Sequence, residues 1–227
     1  VSVLTEMSNR IAHRGPDDFS YYTDEQISMG FRRLSIIDLE GGRQPIFNED
    51  KNKVLTFNGE IYNFNEIRND LIKKGHIFTT KSDSEVLIHG YEEYGTDLLP
   101  KLRGMFAFVI WDNVKKELFG ARDIFGIKPF FYYQNGESFM YASEIKAFLA
   151  NPNFKKELNE KNIPTYLCFE YIPNNETMFK NVFKLAPGSY FTYKDGKMTT
   201  GRYYTMQFKI DKKKSIDEYA NMIMDEF

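Results

Sequence analysis

The chain has 227 residues, 42% of them apolar, and a net charge of -2 with acids and bases interspersed, a length that suits one large domain or two small ones. That balance gives no electrostatic reason to expect nucleic acid or an anionic membrane as partner, no apolar run approaches the roughly 20 residues of a membrane helix, and nothing resembles a signal peptide. A single cysteine, Cys168, excludes an internal disulfide and suits a reducing compartment, so a cytoplasmic protein is expected.

Val3, Leu4, Met7 and Ile11 fall on one helical face. A chain that begins at Val1 inside an amphipathic helix reads as cut or processed. Phe19–Thr23, Gln26–Leu34 and Lys53–Asn58 read as strands, rich in aromatic and branched residues. Asn63 and Glu66 predict a capped helix with Ile67, Leu71 and Ile72 inward, ended by Gly75. Ser82-Asp83-Ser84-Glu85 reads as a capping box, opening a helix that Gly95 stops after Tyr94. Met105–Trp111 and Glu117–Arg122 read as a hairpin around Asp112-Asn113, and Phe130–Gln134 and Ser138–Ala142 as another around Asn135-Gly136. Short helices are predicted at Ser143–Ala150 and Asn159–Cys168, and strands at Ser189–Lys194 and around Arg202–Tyr204. Lys212–Lys214 is a charged break before a last helix, Ser215–Phe227. Strands in hairpins with helices between them predict an α+β fold with antiparallel sheets. No Cys/His cluster has metal-ligand spacing, so no metal site is expected.

Four polar stretches stand out: His13–Asp18, a Gly-Pro turn; Gly30–Asp38, with two arginines in a strand; Asn58–Asn63; and Ser82–Glu85. An arginine at a strand end clamps a carboxylate, and a carboxylate such as Asp83 accepts from an ammonium; together they describe an α-amino-acid site. Asn58-Gly59 adds a side-chain amide beside a backbone N–H that no Cβ obstructs, the ingredients of an oxyanion hole. Acyl transfer from an amino-acid amide fits this set. Each piece also has a plainer reading: a rim charge, a helix start, a turn.

Longer runs carry a resemblance. Ala12–Asp18 (AHRGPDD), Arg32–Gly42 (RRLSIIDLEGG), Gln44-Pro45, Phe57–Asn63 (FNGEIYN), Ser82–Val86 (SDSEV), Gly104–Asp112 (GMFAFVIWD), Ala121–Pro129 (ARDIFGIKP), Ser143–Ala147 (SEIKA), Tyr171–Pro173 and Leu185–Gly188 occur in one order. From about Ile11 to Tyr204 the chain resembles the glutaminase domain of glutamine-hydrolysing asparagine synthetases, class II glutamine amidotransferases. The resemblance implies an N-terminal-nucleophile (Ntn) hydrolase fold, a four-layer αββα sandwich with two stacked antiparallel sheets. It implies that Arg33 holds the glutamine α-carboxylate with Leu34, Ile36 and Ile37 along the same segment. Asp83 would bind the α-amino group near Glu60, and Asn58 with the Gly59 N–H would form the oxyanion hole.

In that family the nucleophile is an N-terminal cysteine whose own amino group moves the proton. The ammonia released travels to a second domain, where ATP activates aspartate for amidation. This sequence carries neither that cysteine nor a pyrophosphate loop, so residues 1–211 are expected to be the amidotransferase domain without its first strand, leaving an open sheet edge. Residues 212–227 are expected to begin the synthetase domain. Hydrolysis by the chain as written is not expected, and Cys168 reads as a buried, inert thiol. The expected partners are glutamine and the chain's own synthetase domain, with a homodimer possible; ATP and Mg belong to the synthetase domain, with no cofactor in these residues. Phe31 and Ile124 stand where the family usually has His and Arg. An amidotransferase for another acceptor, such as a sugar, is the alternative. So is a structural relative of the β-lactam-forming synthetases, although retention of Arg33, Asn58, Gly59 and Asp83 argues against that.

Overall fold

The computed structural model describes residues 1–34, 43–136, 138–208 and 214–226. Ile36 and Ile37, and Lys212 and Lys213 of the charged break, lie outside the described residues.

Helix α1 (Ser2–Asn9) opens the chain, followed by the antiparallel pair β1 (Asp18–Thr23) and β2 (Ser28–Arg33). β2 starts two residues later than predicted because Asp24 closes a turn, its Oδ1 accepting from Gln26 N and Ile27 N at 2.8 Å each. A short β3 (Ile46–Phe47), not foreseen, pairs with β4 (Lys53–Ile61). After α2 (Phe64–Lys73) and α3 (Glu85–Tyr94) come β5 (Gly104–Asp112) and β6 (Glu117–Arg122), then β7 (Phe131–Asn135) and β8 (Ser138–Ala142). The remainder is α4 (Ile163–Phe169), β9 (Val182–Lys184), β10 (Ser189–Lys194), β11 (Lys197–Arg202) and α5 (Ile216–Glu226). Residues 145–150 form a 3-10 turn rather than an α-helix. β11 precedes the predicted 202–204, because Gly196 at φ 75° turns the chain straight back onto β10.

One antiparallel sheet has the order β11-β10-β6-β5-β4-β3; β1-β2 and β8-β7-β9 form two smaller ones. Side-chain alternation explains the layering, because successive residues of a strand face opposite sides. Leu55, Phe57, Phe106, Phe108, Ile110 and Phe119 point one way, onto Ile67 and Leu71 of α2 and Val86, Leu87, Ile88 and Tyr91 of α3. Their neighbours Val54, Ala107, Val109, Trp111 and Leu118 point the other way, onto Met29 of β2, Phe130 and Leu185. Beyond the smaller sheets, Tyr133, Met140, Phe148 and Val182 pack with Met7 of α1. Helix, sheet, sheet and helix thus stack in the predicted αββα order. Each fully buried Phe or Leu here contributes about 1.5–3 kcal/mol, and the strands are apolar on both faces because both are covered.

Two predicted caps are absent. Asn63 precedes α2, but its side chain bridges Lys101 O and Arg103 N at 2.9 Å each, tying α2 to the approach of β5. In the Ser82–Glu85 stretch, Ser82 Oγ accepts from Ser84 N at 3.3 Å, and Glu85 turns back to the backbone and hydroxyls of Thr79 and Thr80. Cys168 is exposed, not buried. α4 buries none of its residues, so a position flanked by apolar side chains does not become interior.

Candidate functional site

A cavity of about 1000 Å³ lies between the two sheet layers. Arg33, Leu34, Asn58, Gly59, Glu60 and Asp83 all line it, so every predicted site residue within the described regions meets in one place. β2 supplies Arg33 and Leu34, β4 supplies Asn58 to Glu60, and the segment before α3 supplies Asp83.

Arg33 ends β2 and is buried. The His13–Asp18 turn fixes that end. Asp17 N donates to Arg33 O at 3.1 Å. A Cβ on Gly15 would stand 2.4–2.5 Å from Arg32 C and O and Arg33 N, so only glycine allows this backbone-on-backbone approach. The turn is tied outward as well: Glu144 Oε1 lies 2.9 Å from His13 Nε2 and accepts from Arg14 at 3.2 Å. Leu34 follows the strand and is exposed at the cavity rim rather than enclosed.

β4 does not stop at Asn58, as predicted, but runs through Gly59 and Glu60 to Ile61. Gly59 has φ 155°, and a Cβ there would come 2.1 Å from Met105 O on β5. The strand survives its glycine because β5 closes directly onto it, with Gly59 opposite Phe106 and Asn58 opposite Ala107. Period 2 puts Asn58 and Glu60 on the face towards the smaller sheets. Asn58 Nδ2 is buried and has no hydrogen-bond partner among the described residues. A buried donor without an acceptor costs about 1–3 kcal/mol; here it is a donor open to a ligand oxygen in the cavity it lines.

Asp83 is buried, and its Oδ2 accepts from Ile61 N at 2.8 Å, fixing the carboxylate to the end of β4. Burial pushes its pKa above the ordinary value, and the charge of Glu60 adds to this against the hydrogen bonds from Ile61 and Ser82. A buried carboxylate held at a cost in free energy is stabilised by a cation.

Sequence reasoning gave no role to Gln44. It is buried; its Nε2 donates to Phe57 O at 2.9 Å and its Oε1 accepts from Phe57 N at 2.6 Å. β3 pairs Ile46 with Leu55, so the Gln44 side chain continues the ladder where backbone pairing has ended and holds β4 one residue before Asn58. Thr56 and Tyr141 also went unassigned. They face each other across the sheets at 3.5 Å and line the cavity. The Gln44-Pro45 run was a visible signal for the first; pairing across sheets leaves none for the second.

Among the described residues β2 pairs only with β1, and β8 only with β7. Both strands border the cavity. Cys168 does not line it. No described helix is long and apolar enough to cross a membrane.

Residues 1–204 match the family model for a glutamine amidotransferase domain. An asparagine synthetase (glutamine-hydrolysing) of Bacillus subtilis is 41% identical over 98% of this chain, which spans 36% of that protein. A putative asparagine synthetase (glutamine-hydrolysing) of Methanocaldococcus jannaschii is 34% identical over 98% of the chain and 48% of its own length. Among solved structures, glutamine phosphoribosylpyrophosphate amidotransferase of B. subtilis shares the fold, with a TM-score of 0.64 at 20% identity over 90% of this chain and 47% of that one.

Proposed function

Because the chain belongs to the glutamine amidotransferase domain family, we propose that it is the glutamine-binding half of an ATP-dependent asparagine synthetase, and that glutamine occupies the inter-sheet cavity. The observation that carries this reading is the convergence of a buried guanidinium, a buried carboxylate and an unpartnered amide donor on one cavity. Arg33 receives the α-carboxylate, bidentate by its planar fork. Asp83 receives the α-ammonium, which relieves the cost of its buried charge. The side-chain amide then lies towards β4, where Asn58 Nδ2 and the Gly59 N–H meet the oxygen on which charge develops as the carbonyl becomes tetrahedral.

Cys168 stands on the surface away from these groups, so in this reading the sequence as given binds glutamine without supplying the attacking thiolate. Ammonia released by the full-length enzyme amidates aspartate in a synthetase domain that binds ATP and Mg, of which residues 212–227 are the proposed beginning. The cytoplasm is the proposed setting.

Calorimetry with truncated ligands tests the orientation. Glutaramate, which lacks the α-amino group, and 4-aminobutanamide, which lacks the α-carboxylate, each leave one buried charge unpaired. Such losses amount to about 2–5 kcal/mol, or about 30-fold and upward in Kd. Affinities within a factor of about three of glutamine for both compounds would overturn the reading.

A further inference from the structure

On the outer side of the six-stranded sheet, away from the cavity, three segments remote in sequence bring Glu49, His76 and His89 together. One donor atom of each lies within 4.8 Å of the others. We propose that these three residues, with Glu92 beside them, form a binding site for a divalent transition-metal ion, zinc by the chemistry of the donors.

The spacings are those of ligands around one ion. Ligand atoms on a tetrahedral zinc at 2.0–2.1 Å stand about 3.3 Å apart. His89 Nδ1 is 3.3 Å from Glu92 Oε2 and 3.5 Å from Glu49 Oε2, and His76 Nδ1 is 4.0 Å from Glu92 Oε2. Two imidazoles and carboxylate oxygen form an N/O set that suits zinc better than magnesium or calcium.

The outer partners are arranged for the same purpose. A ligating histidine donates its other N–H to a carboxylate, which fixes its tautomer. His76 Nε2 lies 3.4 Å from Glu93 Oε2, and His89 Nε2 lies 3.6 Å from Glu85 Oε1. His89 is 1% exposed, yet that Nε2 has no hydrogen-bond partner among the described residues. A small ring rotation on metal binding would close it onto Glu85, which Thr79 and Thr80 hold in place. Glu49 and Glu92 are anchored by one oxygen each, Glu49 Oε1 accepting from Ile77 N at 3.0 Å and Glu92 Oε1 from Asn48 Nδ2 at 2.7 Å. Their other oxygens are left towards His89.

Charge favours a dication. Glu49, Glu85, Glu92 and Glu93 surround the two imidazoles, and the lysines paired with them are Lys53 and Lys74. With both histidines neutral, two negative charges stay uncompensated. Glu49 is exposed and His76 partly so, which gives an ion a way in. Sequence spacing concealed the site because its residues lie in a β-turn, after α2 and inside α3.

Zinc titration of the chelator-treated, dialysed protein at pH 8, followed by calorimetry, tests this. His76→Ala and Glu49→Gln are the variants, since neither residue is in the core, and circular dichroism checks their folding. The expected result is one zinc per chain, at least about tenfold weaker in each variant, no heat with magnesium, and a zinc-dependent rise in Tm in the wild type that both variants lose. No saturable zinc binding, or binding unchanged in both variants, would overturn the proposal.

Discussion

Replacing Asn58 with leucine separates stability from function at the heart of the cavity. The side chain keeps its approximate size but loses the buried Nδ2 donor, which has no partner among the described residues. Removing such a donor recovers about 1–3 kcal/mol of desolvation cost. The imperfect shape match of leucine offsets up to about 1.5 kcal/mol of this. The net expectation is a gain of about 1 kcal/mol, or about 2–4 °C in Tm for a domain of this size. Catalysis should move the opposite way. Loss of one oxyanion-hole donor lowers turnover by about 10²–10³-fold, read as glutamine-dependent ammonia release in the full-length enzyme, while glutamine binding by Arg33 and Asp83 persists. Thermal denaturation of the chain and a coupled glutamate assay on the parent give the two numbers. A variant that is destabilised by more than about 2 kcal/mol, or one that hydrolyses glutamine normally, would refute the assignment of Nδ2 as a donor kept for a reaction.

Gly59→Ala should be costly. Its Cβ would meet Met105 O at 2.1 Å at a φ of 155°, and strain plus overpacking together predict a loss of about 2–6 kcal/mol in urea denaturation; a loss under about 1 kcal/mol contradicts the close β4–β5 approach. Asp83→Asn should raise Tm at pH 7 and abolish glutamine affinity. Burial, with the charge of Glu60, holds the Asp83 pKa above 3.8, so the folded state keeps its proton more tightly than the unfolded one. Stability therefore falls as pH rises from about 3.8 through the raised value and stays reduced at neutral pH. The advantage of the Asn variant should vanish below pH 3.8, where the carboxyl is protonated in both states; an advantage that persists there refutes the cause.

Much of this architecture is legible in the sequence because it rests on local rules. Gly75 and Gly95 end α2 and α3 as predicted, at φ 100° and 56°. The β5–β6 and β7–β8 hairpins follow from apolar runs on either side of turn residues. Failures fall where a side chain has a better partner far away. Asn63 and Glu85 look like caps, but the approach to β5 and the Thr79-Thr80 pair claim them. Gly59 looks like a strand end because a strand reader counts its missing side chain as a break, whereas the neighbouring strand fills that space. The candidate site residues were legible as separately weak signals that together sketched an amino-acid site and that the family resemblance completed; what brings them together in space is the facing of β2 and β4 across two sheets, a relation that no local pattern encodes. The Glu49–His76–His89 cluster stayed hidden for the same reason, whereas Gln44 stood in a visible run and only its hold on β4 went unread.

Arg33→Ala in the full-length enzyme tests the central claim most directly. Asparagine formation is measured with glutamine and, separately, with ammonia as nitrogen donor. Because the substituted guanidinium lies in the inter-sheet cavity, the KM for glutamine should rise by about 30-fold or more while ammonia-dependent synthesis keeps its wild-type rate. Equal loss of both activities, or an unchanged KM for glutamine, would contradict glutamine binding between the sheets.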